Sequence, residues 1–428
     1  MFYTTNYNFS RFKNFNWDKS IMKKILFIIF LIFFNKLYSQ DLNLEICQIE
    51  REFHDVQKCD YDWTIVGAGP AGIITIGVLL DLGVLPSRIN WVDPEFNVGR
   101  LSVYSSVPSN TKNKLLINFL VSCKFFNSCV PSDIQELQKL DPDREYPLKT
   151  IVDPLQKITE NIKQLTDIST GHLTSLYFKD DSWIVGTENI NFSSYNVVLA
   201  TGSHPKKLDL PEYANKEIAL DIALDKLKLE AYLNKQDVVG VVGASHSAIL
   251  LLKYLSEMNI KKIYNFFNKP IEYAIDMGGW LLNSTSGLKG VTAQWAKNVL
   301  EKNPPKNLIR VQSNEENLNK FLSDCTRVIY AIGYERNELP EINGVKDVTY
   351  DPSTGVIAKR LFGIGIAFPD KWVDPLGNTE YRVGFNSFLN YAQRVVPCWM
   401  QRYGINNFNR HAVDSLTVFE ELFNIEIL

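Results

Sequence analysis

The chain has 428 residues, with 45 Lys and Arg against 48 Asp and Glu, and 45% of its side chains are hydrophobic. This composition is that of a globular protein and excludes a disordered, collagen-like or simple coiled-coil chain. The balanced charge also argues against a protein that binds nucleic acid through a basic surface. The six cysteines are scattered and form no Cys-x-x-Cys or Cys/His cluster, so we expect neither a metal site nor a redox dithiol.

Residues 22–39 have the pattern of a signal peptide. Two lysines follow Met22, residues 25–34 carry no polar side chain, and Ser39 is a small residue at a suitable cleavage point. The apolar run is shorter than the roughly 20 residues that span a bilayer, so we do not expect a stable transmembrane anchor. The pattern predicts an extracytoplasmic protein, which is secreted, periplasmic or held in a secretory pathway. An uncleaved membrane anchor over residues 22–39 and a buried apolar element are the alternatives.

The first glycine motif follows a predicted strand that ends at Val66. Residues 67–72 read Gly-Ala-Gly-Pro-Ala-Gly, which fits G-x-G-x-x-G at the start of a predicted helix. The first glycine permits the tight turn, the second lets the backbone approach a pyrophosphate, and the third lets the helix pack on the strand. Asp93 ends the next predicted strand, where a carboxylate can accept hydrogen bonds from ribose hydroxyls. The dinucleotide site predicted by this pattern, for which a merely structural glycine turn is the alternative, consists of Gly67, Gly69, Pro70, Ala71, Gly72 and Asp93.

A second motif repeats this order. A predicted strand over residues 238–242 leads into Gly-Ala-Ser-His-Ser-Ala. Gly243 makes the turn, Ser245 can donate a hydrogen bond to phosphate, and Ala248 is small enough for the helix to pack on the strand. His246 lies inside this turn, and we expect it to face the phosphates or the solvent rather than to donate a proton.

The strand that follows the second motif predicts which coenzyme binds there. It ends at Phe267, and Asn268 and Lys269 come next without an acid. An acid at this position would repel the 2′-phosphate of NADP, whereas an amide or an ammonium group can bind it. We therefore predict NADP(H), with Lys269 at its phosphate. The alternatives are NAD(H) and a degenerate domain that binds nothing.

Two further predicted strands end alike. The first runs into Ala-Thr-Gly at residues 200–202, and the second runs into Ala-Ile-Gly-Tyr at residues 331–334. Corners of this kind let a chain cross between two domains close to a cofactor. We therefore expect Thr201, Gly202 and Gly333 to lie beside the bound nucleotides, with two unrelated strand ends as the alternative.

These four segments, in this order, resemble those of flavoproteins with two dinucleotide-binding domains, namely the pyridine-nucleotide-disulfide oxidoreductase fold and the flavin-containing and N-hydroxylating monooxygenases. The resemblance covers residues 61 to about 400. It implies an α/β fold with two Rossmann-like domains, in which an NAD(P) domain over residues 216–330 is inserted into an FAD domain over residues 60–215 and 331–428. It also places the loop with Arg100 on the FAD, where this side chain either pairs with a phosphate or lies at the surface.

The chain departs from these families at three points. No redox cysteine pair follows the first helix or lies in the second domain, so disulfide reductase chemistry is not expected. The monooxygenase signature Phe-x-Gly-x-x-x-His is absent, since residues 212–230 contain neither Gly nor His. The Gly-Asp pair usual near the flavin is replaced by Gly-Ile-Gly-Ile at residues 363–366.

Cys123 and Cys129 either form a structural disulfide or remain free thiols.

The sequence predicts an FAD-dependent oxidoreductase or monooxygenase that uses NADPH. The flavin carries the electron chemistry in such enzymes, so we name no side chain as a catalytic acid or base. A small molecule is expected as the substrate, with molecular oxygen as an electron acceptor and no nucleic-acid partner. The alternatives are an FAD oxidase or dehydrogenase that does not use NADPH, and a secreted flavin-binding protein with a degenerate second site.

Overall fold

The structure is a computed structural model that describes residues 59–344 and 348–403. The predicted signal peptide over residues 22–39 lies outside the described residues. Within the two described ranges, no helix is both long enough and apolar enough to cross a membrane.

Strands and helices alternate along the described part of the chain. The strands are β1 (Tyr61–Val66), β2 (Ile89–Asp93), β3 (Pro108–Lys112), β4 (Glu145–Pro147), β5 (Asp167–Thr170), β6 (Leu173–Lys179), β7 (Ser182–Thr187), β8 (Asn191–Leu199), β9 (Ser203–Pro205), β10 (Val238–Val242), β11 (Lys262–Phe267), β12 (Ile275–Asp276), β13 (Leu281–Leu282), β14 (Leu308–Gln312), β15 (Arg327–Tyr330), β16 (Tyr334–Arg336), β17 (Val356–Ala358), β18 (Leu361–Gly363), β19 (Asp370–Val373) and β20 (Thr379–Arg382). The α-helices are α1 (Pro70–Asp81), α2 (Asn113–Val121), α3 (Lys124–Cys129), α4 (Pro131–Gln138), α5 (Lys149–Leu165), α6 (Leu220–Ala223), α7 (Lys226–Tyr232), α8 (His246–Glu257), α9 (Gly290–Trp295), α10 (Glu315–Leu322) and α11 (Phe385–Tyr403). Short 3₁₀ turns cover Pro86–Arg88, Gly99–Tyr104, Pro211–Lys216 and Gly365–Ala367, and a π-helical turn covers Ala296–Leu300.

The larger sheet has eight strands. Its main path runs β17-β18-β8-β1-β2-β5, and β7 and β6 continue from β8 as an antiparallel ribbon. Strands β18, β8, β1, β2 and β5 are parallel, so their carboxyl ends lie along one edge of the sheet. The first glycine motif follows β1 and Asp93 ends β2, so both lie on the edge where ligands of parallel sheets bind.

The two faces of the larger sheet support different layers. Ile65 of β1 belongs to a core formed with helices α1 to α5 and α11. Its neighbour Val66 belongs to a second core that includes Trp183 and Val185 of the antiparallel ribbon. Because successive side chains of a strand point to opposite faces, the carboxyl-terminal half of β1 is buried on both sides.

The smaller sheet has four parallel strands in the order β14-β11-β10-β15. Val241 of β10 packs with α8 on one face, whereas Val242 packs with Leu322 of α10 on the other. A parallel sheet with helices on both faces is the doubly wound arrangement of a Rossmann-like unit. The predicted α/β fold with two such units is therefore confirmed, while the bounds predicted for each domain stay a prediction.

Cys123 and Cys129 are free thiols. All cysteines within the described ranges are unbridged, so the structural disulfide considered for this pair is not formed. Burial raises the pKa of both thiols. Cys123 is buried and Cys129 is partly buried against the same core, and a protonated thiol is a poor nucleophile, so this pair serves packing rather than redox chemistry.

Candidate functional site

A cavity of ≈ 780 Å³, called the larger cavity below, lies along the carboxyl edge of the larger sheet. After β5 and β2 its wall is polar, with His172 and Asp93. After β18 and at the start of α11 its wall is apolar, with Ile366 and Phe385. The predicted site residues that line it are Gly67, Gly69, Pro70, Asp93, Arg100, Thr201 and Gly202.

The three glycines of the first motif have different structural surroundings. Gly67 has a φ of 110°, and a Cβ on it would lie 2.3 Å from the carbonyl oxygen of Ala200. A Cβ on Gly72 would lie 1.9 Å from the carbonyl oxygen of Gly67, so this glycine lets α1 pack on β1. A Cβ on Gly69 would meet no described atom within 4 Å. The fold therefore requires Gly67 and Gly72, whereas the space over Gly69 opens into the cavity.

This open space has the features of a phosphate site. Gly69 caps the N-terminus of α1 in an extended conformation, Pro70 is at the first helical position, and no side chain caps the helix. The backbone N–H groups of the first turn are therefore available to an anion, which the helix dipole also favours. These residues fit the pyrophosphate of an FAD. Of the remaining motif residues, Ala71 packs on Gly365 and Gly72 on Gly67, so they shape the loop from outside the cavity wall.

Asp93 holds the glycine loop as well as lining the cavity. Its Oδ2 accepts a hydrogen bond from the backbone N–H of Ala68 at 2.6 Å. Its Oδ1 accepts bonds from the N–H groups of Glu95 at 2.9 Å and Phe96 at 2.8 Å. A carboxylate has about four acceptor positions, so one remains for a ribose hydroxyl. The sequence pattern predicted only the ribose contact.

Arg100 lines the cavity, but its charge is already paired. Its Nε donates to the backbone carbonyl of Ser203 at 3.0 Å, and its Nη1 donates to the carboxylate of Asp221. The sequence left open a phosphate contact or a surface position for this side chain. The structure instead makes it a link between the loop that follows β2 and helix α6, which carries Asp221.

The two strand ends with similar sequences meet each other. β9 follows Gly202, β16 starts at Tyr334, and the two strands pair antiparallel. Asn337 clamps this crossing, because its Nδ2 donates to the carbonyl of Thr201 at 2.8 Å and its backbone N–H donates to that of Gly202 at 3.2 Å. The hydroxyl of Thr201 has no hydrogen-bond partner among the described residues. The sequence did not single out Asn337, since only the folded crossing brings it to Thr201.

The smaller cavity, of ≈ 370 Å³, lies at the second glycine motif. Gly243 has a φ of 138°, and a Cβ on it would lie 2.2 Å from the carbonyl oxygen of Ala331. Ser245 precedes α8, and its hydroxyl makes no capping hydrogen bond, so it is available to a ligand. Ala248 is buried against Gly243 and does not line the cavity. The predicted site residues that line it are Gly243, Ser245, Lys269 and Gly333.

The two glycine loops are built alike. The N–H of Gly67 donates to the carbonyl of Val92 and that of Gly243 to the carbonyl of Phe266, each at 2.8 Å. On the other side, Ala200 and Ala331 donate to the last residue of β1 and β10, at 2.8 and 2.7 Å. Each loop is thus fixed between two neighbouring strands by equivalent bonds. This repetition supports a nucleotide at both motifs.

Lys269 lines the smaller cavity and forms an ion pair that the sequence pattern did not predict. Its Nζ lies 3.1 Å from a carboxylate oxygen of Glu272. A hydrogen bond from Ser286 and the charge of Lys269 lower the pKa of Glu272, so this carboxylate stays ionised. Lys269 is therefore partly neutralised before any phosphate arrives.

His246 contacts a neighbouring loop and is partly exposed to solvent. Its Nε2 lies 3.1 Å from both the carbonyl of Gly287 and the backbone N–H of Lys289, and the side chain lines neither cavity. Burial, followed by the nearby charge of Lys289, lowers the pKa of His246 to about 4. The imidazole is neutral at pH 7 and fixes the loop over residues 287–289, so it does not face a phosphate in the smaller cavity.

One short segment borders both cavities. Ala331, Ile332 and Gly333 line the smaller cavity, and Tyr334 lines the larger one. A Cβ on Gly333, which has a φ of 98°, would meet no described atom within 4 Å. The linings of the two cavities therefore come closest along the chain in this segment.

No cysteine among the described residues lines either cavity. The segment Gly-Ile-Gly-Ile, over residues 363–366, brings no acid to the larger cavity. Gly365 instead lies against Ala71, since a Cβ added to Gly365 would lie 2.5 Å from the Cβ of Ala71. Ile366 faces the cavity. The site thus offers two nucleotide cradles without a thiol relay between them.

Comparison with known proteins identifies the family to which the chain belongs. The model of the pyridine nucleotide-disulphide oxidoreductase family matches residues 61–356. The curated protein "Monooxygenase AgnR1" from Paecilomyces divaricatus is 32% identical over 390 residues, which cover 80% of this chain and 98% of the relative.

Among solved structures, the fold is similar to that of an ornithine N-hydroxylase from Kutzneria sp. 744, with a TM-score of 0.56 and 12% identity over 80% of this chain and 99% of that one. It is also similar to the L-lysine 6-monooxygenase from Pseudomonas syringae, with a TM-score of 0.55 and 13% identity over 80% and 99% of the two chains. At these identities the likeness shows the fold alone.

Proposed function

Because the chain belongs to the pyridine nucleotide-disulphide oxidoreductase family, we propose that it is a monooxygenase that binds FAD in the larger cavity and takes its electrons from NADPH bound in the smaller one. The family and its structural neighbours are FAD-dependent oxidoreductases and monooxygenases. The assignment of NADPH as the reductant and of a small organic molecule as the substrate rests on the geometry of the two cavities.

One observation carries the proposal: two glycine loops of equivalent construction, with no cysteine of the described chain at either cavity. A disulfide reductase needs a thiol pair to accept electrons from the flavin. Without such a pair, electrons that enter as hydride have the flavin as their acceptor, and oxygen or a bound organic molecule takes them onward. The similarity to a protein named as a monooxygenase supports the same choice.

The residues of the larger cavity have distinct tasks in this proposal. The first turn of α1 and the open space over Gly69 hold the pyrophosphate. Asp93 keeps the loop closed and offers its remaining acceptor position to a ribose. The apolar wall at Ile366 and Phe385 excludes water from the ring system. When bound, FAD supplies the two-electron and oxygen chemistry that side chains lack.

In the smaller cavity, Ser245 and Lys269 are the proposed contacts of NADPH. Ser245 is free to donate to the pyrophosphate, and Lys269 is the one cationic side chain among the described residues that line this cavity. The ion pair with Glu272 limits the gain from Lys269, so we expect a preference for NADPH over NADH rather than complete selectivity. The alternative that the second site is degenerate predicts no binding of either coenzyme.

Oxygen uptake tests this proposal. Purified protein loaded with FAD is mixed with NADPH in air, and oxygen and hydrogen peroxide are followed together. We expect NADPH-dependent oxygen uptake. Rapid peroxide release that no added organic compound suppresses would favour the oxidase alternative, and an absence of uptake with either coenzyme would favour a flavoprotein with a degenerate second site.

We also propose that the protein acts outside the cytoplasm, because residues 22–39 have the anatomy of a signal peptide. An extracytoplasmic site of action would restrict the supply of NADPH. The proposal is independent of the cofactor assignment and is tested separately below.

A further inference from the structure

Four side chains form a continuous chain of hydrogen bonds between the two nucleotide-binding units. The hydroxyl of Tyr334 donates to that of Tyr104 at 3.0 Å, and the hydroxyl of Tyr104 donates to Asp221 Oδ1. Asp221 Oδ2 accepts from Arg100, whose Nε is held by the carbonyl of Ser203 at 3.0 Å. Both carboxylate oxygens of Asp221 are thus used, one by a phenol and one by a guanidinium.

This chain joins two parts of the fold. Asp221 lies on α6, whose Leu220 and Ala223 are buried in the core of the smaller sheet with Val239. Arg100 and Tyr104 lie on the 3₁₀ turn that follows β2 of the larger sheet. The contact is therefore a bridge from one dinucleotide-binding unit to the other.

The bridge also reaches the place where the two cavities approach each other. Tyr104, Arg100 and Tyr334 line the larger cavity, and the three residues before Tyr334 line the smaller one. A ring that enters the larger cavity beside these phenols is positioned by them. Their position is set in turn by Asp221, which does not line either cavity.

The chemistry of the bridge favours one arrangement. Burial raises the pKa of Tyr104 and of Tyr334, so both phenols stay protonated and donate along the chain toward Asp221. The guanidinium of Arg100 compensates the charge of Asp221, which makes the pair a charge-assisted bond. Removing the carboxylate would leave Arg100 and Tyr104 without their partner, so both would change position.

We propose that Asp221 is a positioning residue for hydride delivery: by holding Arg100 and the Tyr104–Tyr334 pair, it fixes the two nucleotide-binding units at the distance at which NADPH reduces the flavin. This inference rests on the proposed function, since it assumes that NADPH is the reductant. The role goes beyond binding, because Asp221 itself touches neither cavity.

Anaerobic stopped-flow reduction of the FAD-loaded protein tests it, with the limiting rate and the NADPH dissociation constant measured separately. Asp221→Asn should lower the limiting rate by about 10- to 100-fold, because small misplacements of reacting groups have effects of this size. The dissociation constant should change little, since the smaller cavity is untouched. Asp221→Glu keeps the charge and should restore part of the rate.

Two further variants keep the test valid where Asp221→Asn does not fold. Tyr104→Phe and Tyr334→Phe each remove one hydroxyl and leave the Arg100–Asp221 pair intact, and each should slow reduction by a smaller factor. Thr285→Val is the matched control, because Thr285 donates to the carbonyl of Tyr381 at 3.4 Å and so joins the same two units, and neither residue lines a cavity. We expect the wild-type rate for this control.

The outcomes separate this inference from the proposed function. A wild type that dithionite reduces but NADPH does not would overturn both. A wild type reduced by NADPH, with Asp221→Asn and both tyrosine variants reduced equally fast, would overturn the positioning role alone. A change confined to the dissociation constant would also overturn it, since that result would mark Asp221 as a binding residue.

Discussion

Gly69 caps helix α1 and Gly72 lies in its first turn, yet only at Gly72 does the packing of the protein itself require a glycine. A Cβ on Gly72 would lie 1.9 Å from a backbone carbonyl oxygen, whereas a Cβ on Gly69 would meet no described atom within 4 Å. Residue 69 has a φ of −76° and a ψ of 176°, which any residue can adopt. A glycine that the fold does not need, at a cavity and at the start of a helix, points to a ligand.

The first prediction uses this contrast. Gly69→Val should leave the thermal midpoint of the FAD-free protein nearly unchanged and abolish FAD binding, because the side chain would occupy the pyrophosphate position. Gly72→Ala should fold poorly, since α1 would have to move away from β1. Flavin content by absorbance and thermal unfolding check both variants. A yellow Gly69→Val protein with one FAD per chain would contradict the cofactor assignment.

The second prediction concerns Asp93, which serves both the loop and the ribose. Asp93→Ala should weaken FAD binding by about 1.5–3 kcal/mol, the scale of a hydrogen bond to a charged group. It should also lower the free energy of unfolding of the FAD-free protein, because three backbone N–H groups lose their acceptor. Urea unfolding and FAD titration measure the two effects. Unchanged stability of the FAD-free variant would show that the three bonds do not hold the loop.

The third prediction concerns coenzyme choice. Lys269→Glu should erode the preference for NADPH by about 10- to 150-fold in affinity, the equivalent of 1.5–3 kcal/mol for a lost phosphate contact. Glu272→Gln should increase the preference, because it releases Lys269 from its ion pair. Stopped-flow titrations with NADPH and NADH give the two dissociation constants.

Lys261→Glu is the control for this test, since it reverses a charge on an exposed residue of the same unit that lines neither cavity. Equal responses of NADPH and NADH to Lys269→Glu would place the 2′-phosphate elsewhere or leave the second site without a coenzyme.

The fourth prediction follows from the low pKa of His246, about 4 in the folded protein. The unfolded chain takes up a proton near pH 6.5 and the folded protein does not, so the stability that this group contributes is present above pH 6.5 and is lost as the pH falls toward 4. The loss is at most about 3 kcal/mol. Urea unfolding at pH 7 and pH 5 should show a smaller decrease for His246→Gln than for the wild type. The same decrease in both proteins would refute the buried neutral imidazole.

The fifth prediction concerns location. N-terminal sequencing of native material should give a mature chain that begins near Gln40, because the apolar run and Ser39 form a cleavable signal. An intact N-terminus on a protein purified from the cytoplasm would refute export. It would also remove the restriction on NADPH supply.

The sequence predicted those parts of the site whose reasons are local. Gly67 and Gly243 were predictable because a tight turn after a strand needs a positive φ, and β1, β10 and their helices follow from apolar runs of the right length. The apolar runs over residues 65–66 and 195–199 predict only the ends of β1 and β8, which start earlier, at Tyr61 and Asn191.

The parts that the sequence missed depend on contacts between distant segments. Asp221 and Tyr104 are 117 residues apart in the chain, and Asn337 and Thr201 are 136 residues apart, so no local sequence pattern predicts either hydrogen bond. Hairpin β19–β20 also escaped prediction, because its exposed side carries Val373 and Tyr381 while Glu380 on the other side is half-buried. The contact between His246 and Gly287 also escaped prediction, because the two residues lie about 40 residues apart along the chain.

The central claim is that electrons pass from NADPH in the smaller cavity to FAD in the larger one, without a thiol relay. Its most direct test is the visible spectrum of the FAD-loaded protein during titration with NADPH under argon. We expect one equivalent of NADPH to bleach the flavin absorbance, faster than NADH does, and air to restore it. A flavin that dithionite bleaches and neither coenzyme reduces would contradict the claim.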